Sequence, residues 1–320
     1  MKATDINEVK PILRGLIHNA IIRSVDFVVK KCRTLGSRPE EPDFIASLTL
    51  NFTSDLANIL KAVFPRNKFS LTGVYCHQKP LANIGLTTSP EIGDILLVYI
   101  YTDNTGSKKF NSLLLQAKRS SELTLVVPTS ERHQLKLYTE WPKFIYERAG
   151  RLNGISRDIL PKTINDGAQY LLIDKDPILE LYGRSGAFPM GCAIPARILS
   201  IHTDFASEIV NFLMFKSGRA FEENPTITKD DWTKMIWDIL DITKGKASRR
   251  NNVGLRGFQR QNVEDFDGCC YTTSESKSIY EDLHRQIDNG NNTTHDKSDF
   301  NDDNSVPSVI LIESSELIEE

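Results

Sequence analysis

Cysteine is scarce in this chain and shows no pattern. The five cysteines, Cys32, Cys76, Cys192, Cys269 and Cys270, are odd in number and none is spaced as C-x-x-C. This excludes a disulfide framework and a cysteine-based zinc site, and the adjacent Cys269 and Cys270 read as ordinary free thiols. Excess charge is equally scarce: the net charge is −3 and the pI near 6.1, so the molecule is not a polycation that binds nucleic acid through bulk electrostatics. Long apolar runs are missing too. The longest, Ile95 to Tyr101, is far too short to span a bilayer, and the opening MKATDINEVK lacks the basic-then-apolar order of a signal peptide; the expected location is cytoplasmic, without a membrane partner. No G-x-G-x-x-G, Walker-type loop, G-x-S-x-G or H-E-x-x-H is present, which removes the nucleotide-binding, serine-hydrolase and zincin signatures. There is no 20 to 50 residue repeat.

What the chain does have is apolar material, 40% of its 320 residues, enough for a large buried core. Its most informative stretch is EIGDILLVYIYTDNTGSKKFNSLLLQAK, Glu91 to Lys118. Asp94 follows the turn residue Gly93 and enters an apolar run; TDNTGSKK breaks that run and SLLLQAK resumes it, the pattern of a β-hairpin. Because side chains alternate along a strand, Gln116 and Lys118 share one face while Leu115 and Ala117 take the other. Magnesium prefers hard oxygen ligands and keeps several waters, so a carboxylate with a side-chain amide suffices to hold it beside a phosphate. A lysine two residues further on can orient or deprotonate the attacking water, or offset charge on the phosphorus oxygens.

An aspartate, a hairpin's length, and then acid-or-Gln, any residue, Lys resembles the signature of the PD-(D/E)xK nuclease superfamily, here in a Gln-x-Lys form. The resemblance covers roughly residues 41–196. Gln116 stands where most members carry an acid and so removes one anionic ligand, although branches with that substitution, including the Mrr-like ones, are active nucleases. The resemblance implies a restriction-endonuclease-like α/β fold with a central mixed β-sheet flanked by helices, to which the helical pattern after Asp204 adds a helical C-terminal extension. It also implies Mg²⁺ or Mn²⁺ as cofactor, nucleic acid and foremost DNA as partner, and a setting in bacterial defence or DNA processing. Asp94, Gln116, Lys118 and Glu41 are its candidate catalytic residues, and Asp94, Gln116, Glu41 and Glu91 its candidate metal ligands. The alternative is a catalytically inactive member of the fold that serves as an interaction or nucleic-acid-binding module.

Around the hairpin, helical spacing of apolar residues predicts a first helix over residues 6–33 and a second from Pro42 or Asp43 to Phe64. Glu40, Glu41 and Asp43 sit at the second helix's start, where acids also serve as simple caps. FSLTGVYCH predicts a strand, followed by an irregular QKPLANIGLTTSPE that places His77 and Lys79 near the hairpin. Leu135, Leu137, Tyr138, Trp141, Phe144, Ile145 and Tyr146 form an aromatic and apolar cluster that fits a core better than a stacking platform for bases. LTLVVP, AQYLLID and CAIPARILSIH read as further strands, and helical patterns return from about Asp204.

The expected organisation is an α/β core over residues 1–203, a helical cap over 204–284, a disordered polar linker over 285–305 and a short terminal strand or linear motif over 306–320. Within the cap, the segment 244–261 carries Lys244, Lys246, Arg249, Arg250, Arg256 and Arg260, with Phe258 interleaved; this is the candidate phosphate-binding run. The terminal VILI run reads as a strand or short linear motif that adds to a sheet edge, a protein partner's included, or as a terminal strand that docks on its own domain. Self-association is left open by the sequence.

Overall fold

In the computed structural model, which describes residues 1–76, 80–163, 167–182, 187–243, 270–272 and 307–317, the continuous apolar runs become the middle of a sheet. In chain order the elements are α1 (Ala3–Thr34), α2 (Glu41–Ser47), α3 (Thr53–Val63), β1 (Asn67–Val74), β2 (Leu81–Asn83), β3 (Ile95–Thr102), β4 (Lys108–Ser120), β5 (Thr124–Val126), α4 (Arg132–Glu140), β6 (Phe144–Glu147), β7 (Ser156–Arg157) and β8 (Ala168–Asp174). They continue with α5 (Leu179–Tyr182), β9 (Met190–Ala193), β10 (Ile198–Asp204), α6 (Phe205–Leu213), β11 (Arg219–Ala220), α7 (Asp231–Thr243), β12 (Cys270–Thr272) and β13 (Ser308–Glu316). Ten strands form one mixed sheet in the order β12-β1-β13-β3-β4-β8-β9-β10-β5, with β11 paired to β4; β2, β6 and β7 make a separate three-stranded sheet. The fold is α/β, a large mixed sheet with helices on both faces. Among the described residues no helix is long and apolar enough to cross a membrane.

The two faces carry separate cores. One packs α1, α2, α3 and α6 on Leu71, Ile95, Leu97, Leu113, Leu115 and Ile310. The other packs α4 and α7 with Trp141, Phe144 and Tyr146 on Leu96, Val98, Leu114, Tyr170 and Leu311. The aromatic cluster is thus core. The late helices α6 and α7 follow the strands and pack on the sheet, on its opposite faces and within the two main cores.

Strand β13 is a terminal strand docked on its own domain, one of the two alternatives the sequence left open. It runs parallel to β3 and antiparallel to β1, so it sits inside the sheet and not at an edge. The run Val309, Ile310, Leu311, Ile312 is fully buried, with Val309 and Leu311 in one core and Ile310 and Ile312 in the other. A strand buried on both faces needs continuous apolar residues, whereas a half-exposed edge strand alternates. Each such side chain contributes about 1.5–3 kcal/mol of transfer free energy.

Other boundaries shift for local reasons. The second helix is one rod in three parts, α2, a π-helical turn over Leu48–Phe52, and α3. It lies so close to β1 that a Cβ on Gly73 would stand 1.8 Å from the carbonyl oxygen of Thr49, which only glycine accommodates. CAIPARILSIH is two strands, β9 and β10, paired antiparallel, since Pro195 lies between them and proline cannot donate to a ladder. The irregular stretch after β1 contains β2, which pairs with β6. His77, Lys79, the basic run from Lys244 to Arg260, and the linker 285–305 lie outside the described residues.

Candidate functional site

The β3–β4 hairpin is held by a tight turn in which Asp103 Oδ1 accepts from the backbone N–H groups of Thr105 and Ser107, both at 2.9 Å. The antiparallel ladder pairs Ile95 with Leu115, which sets Asp94 across from Gln116. Three contacts fix Asp94: its N–H donates to the Leu115 carbonyl at 3.0 Å, its carbonyl accepts from the Ser308 N–H at 2.9 Å, and its Oδ2 accepts from the Ala117 N–H at 2.7 Å. Gln116 Nε2 donates to the same Oδ2. That leaves Gln116 Oε1 without a hydrogen-bond partner, although Gln116 is only 4% exposed. An unpaired buried acceptor costs about 1–3 kcal/mol.

These residues open into a cleft of about 210 Å³ lined by Glu41, Glu91, Asp94, Gln116 and Lys118, with Tyr75 and Pro307 among its walls. Of the three acids at the start of the second helix, the structure separates the roles. Asp43 is fully buried and its Oδ2 accepts from the Glu40 N–H at 2.9 Å, a cap. Glu41 faces the cleft. Glu91 also lines it, beside the bridge that Glu91 makes with Leu81.

The carboxylates repel one another across the cleft. Burial raises the Glu41 carboxyl, Lys118 draws it back, and Glu131 and Glu91 push it up again, leaving it at about 7. Burial, then Glu41 and Glu91, holds Asp94 well above the usual carboxylate range despite the Ala117 N–H. For Lys118 burial opposes the charge, but Glu41, Glu131 and Asp94 outweigh it and raise the ammonium pKa above its ordinary value. At neutral pH Lys118 is therefore a fixed positive charge and not a base.

Glu131 is the residue that sequence reasoning missed. It ends the 3₁₀ turn that leads into α4, and its Oε2 lies 3.0 Å from Lys118 Nζ. In the sequence, TSERHQ looks like any polar helix start, and only three-dimensional packing brings it over β4. That packing is specific: Tyr138 on α4 donates to the Ile92 carbonyl at 2.7 Å, and a Cβ on Gly93 would stand 2.9 Å from the Tyr138 hydroxyl. Helix and loop touch at a glycine directly before Asp94.

The donor set suits Mg²⁺ or Mn²⁺. Among the described residues no three His, Cys, Asp or Glu side chains are grouped to hold a metal ion, so Glu41, Glu91 and Asp94 share the cleft without closing on one point. Mg²⁺ needs only one or two carboxylates because it keeps several waters. Asp94, the unpaired Gln116 Oε1 and Glu41 offer two carboxylates and a neutral hard oxygen. Cation binding would also relieve the repulsion that raises Asp94 and Glu41. In comparisons with protein families, with characterised proteins and with solved structures, the chain matches none.

Proposed function

We propose that the chain is a metal-dependent phosphodiesterase acting on nucleic acid, DNA foremost, with a site of the PD-(D/E)xK kind. The observation that carries this reading is the convergence of Asp94, Gln116, Lys118 and Glu41, from two strands and a helix start, on one cleft. Asp94, Gln116 and Glu41 would hold Mg²⁺ or Mn²⁺. The bound ion would lower the pKa of a water and offset charge on the phosphorus oxygens. Lys118 does what a fixed ammonium can do: it donates to the attacking water or to a non-bridging phosphate oxygen and stabilises charge that develops there. The main-chain and Gln116 hydrogen bonds to Asp94 hold its carboxylate in one orientation, which keeps the reacting groups aligned.

The test is cleavage of linear duplex, circular duplex, single-stranded DNA and RNA with Mg²⁺, Mn²⁺ or chelator. Metal-dependent cleavage that falls by about 100-fold or more in both Asp94→Ala and Lys118→Ala supports the reading. Cleavage that survives both substitutions places the chemistry elsewhere.

One observation favours the second reading, an inactive nuclease-like binding module. Asp94 Oδ2 already accepts two hydrogen bonds from the protein, and Gln116 supplies no anionic charge. Nucleic-acid binding without any cleavage, unchanged in Asp94→Ala, would select this reading.

A further inference from the structure

We propose that Glu131 is the positioning residue for Lys118, fixing its ammonium over the cleft so that it meets the scissile phosphate; this rests on the phosphodiesterase reading above. Lys118 lies near the end of β4, with four rotatable side-chain bonds between its backbone and its charge. A lysine side chain carries about 2 kcal/mol of rotamer entropy, so a free ammonium would sample many places besides the useful one. The cleft carboxylates draw it in but do not choose among themselves. Glu131 makes the choice, because its oxygen stands at hydrogen-bond distance from Nζ, 3.0 Å.

Its own position is set from a distance. Glu131 closes the 3₁₀ turn that leads directly into α4, the helix that carries Tyr138. Tyr138 is fully buried and tied to the Ile92 carbonyl at 2.7 Å, two residues ahead of Asp94. The 3₁₀ turn is closed by the Glu131 N–H donating to the Pro128 carbonyl at 3.0 Å. The 3₁₀ turn and α4 are continuous, so one unit contacts both the loop that delivers Asp94, through Tyr138, and the Lys118 ammonium, through Glu131. The Lys118 side chain is 21% exposed and that of Glu131 37%, so the pair stands at the cleft rim, where an incoming phosphate can share the ammonium.

The test uses the full chain and the variants Glu131→Gln, Glu131→Asp and Glu131→Ala, with two independent readouts. The first needs neither metal nor substrate: acetylation of Lys118 by an amine-specific acetylating reagent, followed by peptide mass spectrometry. Glu131→Gln and Glu131→Ala should react several-fold faster than wild type, and Glu131→Asp close to wild type. The second is steady-state cleavage of a duplex oligonucleotide with Mg²⁺. Glu131→Gln should lower kcat by about 10- to 100-fold, the cost of a misplaced group, with KM within a few-fold and with an unchanged Tm; Glu131→Asp should recover most of the loss.

An unchanged acetylation rate in Glu131→Gln overturns the proposal. So does a loss of kcat that follows a matching loss of Tm in all three variants, which would mark a structural role. If wild type does not cleave, the phosphodiesterase reading falls by itself, and the acetylation rates still decide whether Glu131 holds Lys118.

Discussion

The two ends of β4 bury polar side chains in opposite ways. At the N-terminal end, Asn111 donates to the carbonyls of Phe212 and Ser217, at 3.1 and 2.8 Å. Ser112 donates to the Arg219 carbonyl and accepts from Trp232 Nε1, both at 3.0 Å. Those bonds tie α6, β11 and α7 to the sheet. At the C-terminal end, Gln116 has an oxygen without a partner, two carboxyls are pushed up, and one ammonium serves several acids. Buried polar groups that are matched hold a fold together, whereas groups left in conflict store free energy that a ligand can release. The same strand performs both tasks, and its apolar middle, Leu113 to Leu115, keeps them apart.

This contrast can be broken most forcefully at the matched end. Trp232→Ala should cost about 3–5 kcal/mol, as expected for removal of a buried large aromatic, seen as a fall in Tm, while the response of the residual fold to Mg²⁺ is retained. At the conflicted end the order reverses. Saturating Mg²⁺ should raise stability at pH 8, by about 2.7 kcal/mol at a hundred times Kd, and Asp94→Ala should abolish the gain in a thermal melt. Asp94→Asn should raise the metal-free Tm, since it deletes a repelled charge and keeps the shape, while it removes Mg²⁺-dependent cleavage; a lower Tm would contradict the conflict.

Stability should also depend on pH with a definite sign. Glu41 binds its proton more tightly folded than unfolded, so folding loses stability as pH rises from 4.5 through about 7. The slope is at most about 1.4 kcal/mol per pH unit for one proton. Denaturant titrations across that range should show the fall, and Glu41→Gln should flatten it. The smallest effect belongs to Ser112→Ala, about 1–3 kcal/mol for leaving the Trp232 N–H without its acceptor, with cleavage at the far end unchanged once folded protein is compared.

Legibility in the sequence followed the range of the interactions. The hairpin was readable because its ladder is local: Gly93, two apolar runs and a polar turn define the register that sets Asp94 against Gln116. β8 was readable from the run AQYLLID and is found over Ala168–Asp174. The choice of Glu41 over Asp43 came from the resemblance and not from the local pattern, because both suit a helix start and only the packing of α2 against β4 sends one inward and the other toward the cleft. Glu131 was hidden because its partner is on another element. β13 was visible as a strand, yet its place in the sheet was not, since its partners Ile95 and Asn67 stand more than two hundred residues earlier. Its unbroken VILI run carried the hint, for strands at an edge rarely need to be apolar on both faces.

The central position of β13 has a temporal side. Ribosomes make chains from the N-terminus, and β1 and β3 are finished long before their shared neighbour exists. Until residues 307–316 emerge, the two strands flank an open slot, and the Asp94 carbonyl lacks the Ser308 N–H that accompanies the finished sheet. Non-local pairing of this kind is slow and leaves strand edges exposed in the meantime. Assembly of the cleft therefore waits for residues 307–316. A translation product cut short ahead of Pro307 would carry Asp94, Gln116 and Lys118 in its sequence without the sheet that lines them up.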